Sequence, residues 1–264
     1  MKKYLVIGNP IDHSLSPKLH NSWLKENNID ASYDKAKLDL DEIGSLIDSI
    51  RQQKIAGCNV TVPFKKTVIP YLDRLSLEAE KTQSVNTIIF DNNNLVGHNT
   101  DIVGFRKAIE GLNFSMQDKK ILILGAGGVV PSIIFALKKM NVAEINVSNR
   151  TKQKAENLKI LFESLKIIEW GNLPDFDVII NATSIGLNNE IMNLDFSKLE
   201  KNKLFYDVIY NPSETNFLKE GKSLGNQIEN GKLMFVYQAQ EAFKIWHQIK
   251  PEINRETLKL LDND

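Results

Sequence analysis

Lys65 and Asp101 are two residues of this 264-residue chain whose types could together move a proton. A lysine beside a carboxylate can donate a proton to an oxygen, while the carboxylate orients the ammonium. Each also has a plainer reading. Most lysines are simply solvated, and a carboxylate in the first turn of a helix is favoured by the helix dipole by about 0.3–1 kcal/mol. The chemical reading requires Asp101 to find a cation, and Lys65 is the candidate. Around them stand neutral polar groups with reach. Ser14 and Ser16 precede an apolar helical pattern, and Ser16-Pro17 reads as an N-cap followed by the first helical position. A capping hydroxyl still has its proton to donate, so the two serines suit a small carboxylate whether or not Ser16 caps. Asn59, Thr61 and Lys65 fall along and just past one strand and would share a rim at its C-terminal end. Gln238 lies on a helix with apolar residues on two faces, Val236, Ala239, Phe243 and Trp246 on one and Ala242, Ile245 and Ile249 on the other. A partly buried amide there needs partners, either core groups or a polar ligand.

The elements that must position these residues are short. Residues 3–8, 31–39 and 55–63 read as strands, with a helix from Ser16 through Leu24 and another opened by Asp41. Residues 84–99 read as a hairpin around the turn 91–94, which places Asn86 on its first strand, and Thr100 caps the helix that carries Asp101. A second chemistry begins after a polar link at 113–119. Ile121-Leu-Ile-Leu124 is an apolar strand run that ends in Gly125-Ala126-Gly127-Gly128, and Val129, Val130, Ile133, Ile134 and Leu137 then repeat at helical spacing. A strand, a glycine turn and a helix N-terminus together suit a pyrophosphate. The third glycine of the usual pattern is Val130 here. The next strand, 143–148, ends in Asn149-Arg150-Thr151 with Lys152 and Lys154 behind. An NAD-binding fold places an acidic residue at that tip, whereas a cationic tip suits a 2′-phosphate, which points to NADP. Strands at 176–181 and 204–209 end in Thr183-Ser184 and Tyr210, polar groups suited either to ordinary turns or to the nicotinamide half of the cofactor.

Composition excludes several function classes. Lys and Arg total 33 and Asp and Glu total 33, so the chain has neither a nucleic-acid footprint nor a polyanion partner. Cys58 is the single cysteine, which allows no internal disulfide and fits a cytoplasmic protein. The first apolar run is too short for a signal peptide, and no run reaches the roughly 18 apolar residues of a membrane span. Neither a repeat nor a low-complexity segment is present.

The motifs Ser14-Leu-Ser16-Pro17, Asn59-Val-Thr-Val-Pro-Phe-Lys65, Val85-Asn86-Thr87, Gly97 to Asp101, Gly125 to Gly128, Asn149-Arg150-Thr151, Asn181-Ala-Thr-Ser184, Tyr210-Asn-Pro212 and Gln238 resemble the shikimate/quinate dehydrogenase superfamily, in its order and over nearly the whole chain. The resemblance implies an α/β protein of two domains. An α/β substrate-binding domain would span 1–100 and 238–264, and a Rossmann-like, doubly wound parallel-sheet NADP-binding domain would span 101–237. It implies reversible reduction of 3-dehydroshikimate to shikimate with NADPH. It also implies that Ser14, Ser16 and Thr61 hold the substrate carboxylate, that Lys65, Asn86, Asp101 and Gln238 hold its other oxygens, and that Lys65 and Asp101 form the catalytic pair. Asn59 and Tyr210 are taken as further substrate contacts. Gly125, Ala126, Gly127, Gly128, Val129, Asn149, Arg150, Thr151, Lys154, Thr183 and Ser184 are taken as cofactor contacts. The substrate is thus a small molecule, with no metal, nucleic acid or membrane involved, and with a homodimer as the one macromolecular arrangement considered. Two departures stand out: Val129-Val-Pro131 replaces smaller residues after the glycines, and Lys154 stands where many members have a second arginine.

Three other readings compete. A quinate-preferring or NAD-using dehydrogenase of the same superfamily would differ in its use of Arg150. A methylenetetrahydrofolate dehydrogenase has a related two-domain plan, but the Ser14/Ser16 pair argues for a small carboxylate. A non-catalytic NADP-binding sensor would have no use for both Lys65 and Asp101.

Overall fold

The computed structural model describes residues 1–262 except Lys198. The chain forms two units, Met1–Gly104 together with the chain from Val236 onward, and Phe105–Phe235 between them. The first unit contains β1 (Lys2–Gly8), α1 (Ser16–Glu26), β2 (Ala31–Lys37), α2 (Ile43–Arg51), β3 (Gly57–Val60), β4 (Arg74–Leu75), α3 (Leu77–Thr82), β5 (Thr87–Asp91) and β6 (Asn94–His98). Its sheet runs β2-β1-β3-β5-β6-β4. The β1, β2 and β3 neighbours are parallel, and β5 pairs antiparallel with both β3 and β6. One face is closed by Ile43, Leu46, Ile47 and Ile50 of α2, packed with Ile7, Cys58, Val60 and Ile88. These α2 residues recur at the three- and four-residue spacing of one helix face.

α4 (Asp101–Glu110) leads into the second unit. That unit holds β7 (Lys120–Leu124), α5 (Val130–Lys139), β8 (Glu144–Ser148), α6 (Lys152–Leu158), β9 (Lys166–Ile168), β10 (Val178–Asn181), β11 (Leu204–Asp207), α7 (Asn216–Ser223) and β12 (Gln227–Glu229). Its order is β12-β11-β10-β7-β8-β9, parallel throughout. This is the doubly wound arrangement, in which the winding reverses between β7 and β10 and ligands bind beyond the C-terminal strand ends at the reversal. Ile121 through Leu124 are all buried, as expected of a strand covered on both faces.

α8 (Lys232–His247) and α9 (Arg255–Lys259) finish the chain. Past Val236, α8 belongs to the first unit and covers its sheet. The Trp246 indole Nε1 donates to the Ile88 carbonyl at 3.1 Å, and a Cβ added at Gly57 would sit 2.4 Å from that nitrogen. Gly57 is therefore the space into which the indole fits. The second apolar stripe expected on this helix does not close: Ile245 is half-buried, and Ile249 is exposed beyond the end of the helix.

Three local expectations change. α1 begins at Ser16 itself, with Leu15 in the N-cap position and no side-chain cap. Pro17 has no N–H to be met, and the Ser14 hydroxyl accepts from the Ser16 N–H at 3.3 Å instead. Asp41 does not open α2. A 3-10 turn at Leu40–Glu42 comes first, and the Glu42 carboxylate reaches back to the Asp39 N–H at 2.7 Å. The first division of the chain falls after Gly104 rather than after residue 100, so Asp101 belongs with the first unit. Its carboxylate is bound to Lys65 and Asn86 of that unit. The second division precedes Val236 rather than residue 238, and the last two residues of the expected substrate-binding domain, 263 and 264, lie outside the described ones.

Candidate active site

The antiparallel register of the first sheet builds the site. Asn59, near the end of β3, stands opposite Thr87, the first residue of β5, which in turn stands opposite His98 at the end of β6. Directly opposed side chains on one face touch. Asn86, one residue before β5, is pinned through its backbone: its N–H donates to the His98 carbonyl at 3.0 Å, and its carbonyl accepts from Val60 N–H at 2.9 Å. Its side chain therefore has little freedom. Asn86 Oδ1 accepts from the Thr100 N–H at 2.8 Å, and Nδ2 donates to Asp101 Oδ1 and to Thr100 Oγ1, both at 2.9 Å.

Lys65 lies in the turn that contains Pro63, and its Nζ donates to Asp101 Oδ2 in a buried ion pair. Lys65 is 8% exposed and Asp101 5%, so removing either would leave a buried charge without its counter-charge. Gln238 joins from α8, where its Oε1 accepts from Asn86 Nδ2 at 3.3 Å. The structure thus brings Lys65, Asn86, Asp101 and Gln238 together. Thr100, which the sequence offers only as a helix cap, spends its hydroxyl on the Asn86 side chain as well.

Ser14 and Ser16 meet at the start of α1. Thr61 leaves the end of β3 with its methyl group over Gly8, where an added Cβ would approach to 2.6 Å. Asn59 is placed differently from its expected role. Its Oδ1 accepts from the Tyr33 phenol at 2.6 Å, and its two N–H groups go to the Asn86 carbonyl and to Thr87 Oγ1, both at 3.0 Å. The side chain is spent inside the protein, and only 6% of the residue is exposed. Tyr210 lies in the other unit, its ring stacked 4.6 Å from Phe235.

In the second unit the glycine turn closes β7 at the point where the winding reverses. Gly125 has φ +111°, and an added Cβ would lie 2.7 Å from the Ala182 carbonyl oxygen, so both backbone conformation and the neighbouring β10 turn require glycine. Gly127 differs. It is exposed, and the nearest protein atom to its missing Cβ is 4.0 Å away. Among the described residues beyond its chain neighbours nothing comes closer to that space, and a phosphate brought against the backbone would fill it. The turn runs through Ala126 and Gly128 to Val129, the N-cap of α5, which has no side-chain cap, and the helix end is suited to an anion.

At the tip after β8, the Asn149 amide donates to the Thr151 carbonyl at 2.8 Å, and Arg150, Lys152 and Lys154 are all exposed. An uncovered cationic cluster beside an open glycine turn fits the pyrophosphate and 2′-phosphate of NADP. The β10 turn is ordered from within. Thr183 donates its hydroxyl to Asn181 Oδ1 at 2.7 Å and accepts from Ile185 N–H at 3.0 Å, while Ser184 is exposed. Asn181 in turn donates to both carboxylate oxygens of Asp207 at 3.1 Å. Asp207 has no cation among these partners. Burial pushes its carboxyl up to about 6 against the hydrogen bonds from Thr215, Ile209 N–H and Asn181.

Comparison with known proteins fits both halves. Residues 6–88 match the model of the shikimate dehydrogenase substrate-binding domain, and residues 107–212 match that of shikimate / quinate 5-dehydrogenase. A curated shikimate dehydrogenase (NADP(+)) from Pelagibacter ubique is 58% identical over 99% of both chains. The chain belongs to the shikimate dehydrogenase family. Another member, from Caldicellulosiruptor saccharolyticus, is 40% identical over 94% of this chain and 93% of its own. The crystal structure of the Thermus thermophilus enzyme in complex with NADP(H) and shikimate superimposes with a TM-score of 0.90 at 29% identity, covering 99% of this chain and 98% of that one. The two matched family domains fall one within each structural unit.

Proposed function

We propose that this chain is an NADP-dependent shikimate dehydrogenase that interconverts 3-dehydroshikimate and shikimate, with Lys65 and Asp101 as its catalytic pair. The observation that carries the reading is the buried Lys65–Asp101 ion pair held by Asn86. NADPH, when bound, supplies the hydride to the ketone carbon. The oxygen of that carbon must then gain a proton. Lys65 is the donor, and Asp101 holds the ammonium in place through Oδ2 while its own Oδ1 is fixed by Asn86. Such positioned acid–base assistance is typically worth about 10²–10⁴-fold. Asn86 and Gln238 take substrate oxygens beside the pair, and Ser14, Ser16 and Thr61 take the carboxylate. Gly125 to Val129 receive the pyrophosphate, Asn149, Arg150, Thr151 and Lys154 the 2′-phosphate, and Thr183, Ser184 and Tyr210 border the nicotinamide half.

A cytoplasmic setting rests on the single, buried Cys58, and among the described residues no helix is long and apolar enough to cross a membrane. A homodimer belongs to the same reading and is checked by light scattering on the purified chain.

The deciding experiment follows NADPH absorbance with shikimate and NADP as substrates, for the wild type and Lys65→Ala. Turnover by the wild type and a 10²–10⁴-fold lower kcat in the variant are expected. A wild type silent with shikimate at every pH would defeat the reading. A variant with normal kcat and raised KM would make Lys65 a binding group.

A further inference from the structure

The geometry points to Tyr33 as a positioning residue for this reaction, heading a one-way chain of hydrogen bonds that ends on the Asp101 carboxylate. The inference rests on the function proposed above. The Tyr33 hydroxyl donates to Asn59 Oδ1 at 2.6 Å, Asn59 Nδ2 donates to Thr87 Oγ1 at 3.0 Å, and Thr87 Oγ1 donates to Asn86 Oδ1 at 3.1 Å. Asn86 Nδ2 then donates to Asp101 Oδ1 at 2.9 Å. Every link points the same way, and the acceptor at the end is the one carboxylate. Aligned hydrogen bonds polarise one another in a low-dielectric interior, and Asn59, Thr87 and Asn86 are 6%, 0% and 3% exposed. Ser16 is among the groups that act on the phenol, so the chain begins near a serine proposed to grip the substrate carboxylate and ends at the proton-transfer pair.

A buried tyrosine needs a partner for its hydroxyl, but this partner decides more than its own bond. An amide can sit in either of two flipped orientations: the Asn86 carbonyl, an acceptor only, holds Asn59 Nδ2, and the Tyr33 proton holds Oδ1 on the other side. In the other orientation Asn59 Oδ1 would face the Asn86 carbonyl oxygen, two acceptors in contact. Thr87 would then turn its proton toward Asn59 and away from Asn86. Burial pushes the Tyr33 phenol well above its usual range, so it remains a donor across the working pH. Its ring is held independently by a stack on His20, with centroids 4.2 Å apart and planes within 3°. Removing the hydroxyl therefore leaves the ring's own packing in place.

The test compares the wild type, Tyr33→Phe, Thr87→Val and the double variant. Side-chain amide NMR signals of Asn59 and Asn86, read without substrate, are expected to move in Tyr33→Phe. With shikimate and NADP, kcat is expected to fall by roughly tenfold, about the worth of one hydrogen bond, with the KM for NADP unchanged. The double variant should be no slower than Thr87→Val alone, because both break the same chain. Unmoved Asn86 signals, an unchanged kcat, or additive losses that track a falling Tm would overturn the assignment. Wild-type inactivity with shikimate would defeat the proposed function alone, and the amide signals would still judge the chain.

Discussion

The two units solve opposite problems. The first buries its chemistry: Lys65, Asp101, Asn86, Asn59, Thr87 and Thr100 are all 8% exposed or less and are bonded to one another. The second carries the groups proposed to hold the cofactor at its surface, with Gly127, Gly128, Arg150, Lys154 and Ser184 all exposed. The difference follows from what each has to do. A proton must pass between groups held in fixed geometry, so their orientations are set in advance by neighbours. A large anionic cofactor is gripped by backbone N–H groups and surface cations, which need access more than rigidity. Changes in the first unit should therefore act on kcat, and changes in the second on cofactor affinity.

The glycine turn tests this contrast most severely, because its glycines divide between the two roles. Gly125→Ala meets both the positive φ and the Ala182 carbonyl, which should cost about 4 kcal/mol of stability through backbone strain and overpacking. Gly127→Ala meets, among the described residues beyond its chain neighbours, no atom closer than 4.0 Å and should leave the thermal midpoint unchanged while weakening NADP binding. Melting curves with and without NADP read both outcomes. Equal loss of stability in the two variants would break the distinction.

One buried group in each unit should also answer pH in the opposite direction to the other. His20 in the first is held down to about 3 by burial and then by His247. Its unfolded form binds a proton below about 6.5 that the native form refuses, so its contribution is complete above that pH and lost as pH falls toward 3. Between pH 7 and 4.5 this costs about 3 kcal/mol. Asp207 in the second, raised to about 6, binds a proton more tightly folded than unfolded. Its contribution is present in acid and lost as pH rises from about 4 through 6, by about 2 kcal/mol between pH 4.5 and 8. Urea midpoints of the wild type, His20→Asn and Asp207→Asn at pH 4.5, 6 and 8 should show the first variant losing the acid-side slope and the second the alkaline-side slope. Parallel curves for all three would contradict these assignments.

The smallest effect is expected at the exposed tip. Arg150→Ala should weaken NADP binding about tenfold, in the range of one charge-assisted hydrogen bond, and leave NAD binding and kcat at saturation unchanged. Titrations with both cofactors check it, and equal losses for the two would remove Arg150 from the 2′-phosphate.

The sequence was most informative where a feature is local. Apolar runs of three or four residues marked β7, β10 and β11 because strands buried on both faces need no polar alternation. The hairpin β5–β6 was legible from its Asn-rich turn. The elements between residues 66 and 83, β4 and α3, gave no comparable signal, since a two-residue strand and a six-residue helix are too short for periodicity to register. Asn59 was legible as a site residue but not in its role, because its amide faces Tyr33 and Thr87 from other strands. Tyr33 and Asp207 carried no sequence signal of their own, each being a polar residue within or at the end of a strand.

By itself the sequence determined the glycine turn, the cationic tip after β8 and the two apolar strand sets, because backbone conformation, charge and hydrophobic run length are properties of neighbouring residues. Only the tertiary structure decided that Lys65 and Asp101 meet, that Thr100 and Asn86 fix them, that Ser14 rather than Ser16 meets the first N–H of α1, and that the last helix returns to bring Gln238 against Asn86. Those contacts join residues on different strands, loops and helices. Strand order and register set them, and both are chosen by the burial of the whole sheet rather than by any one stretch of the chain.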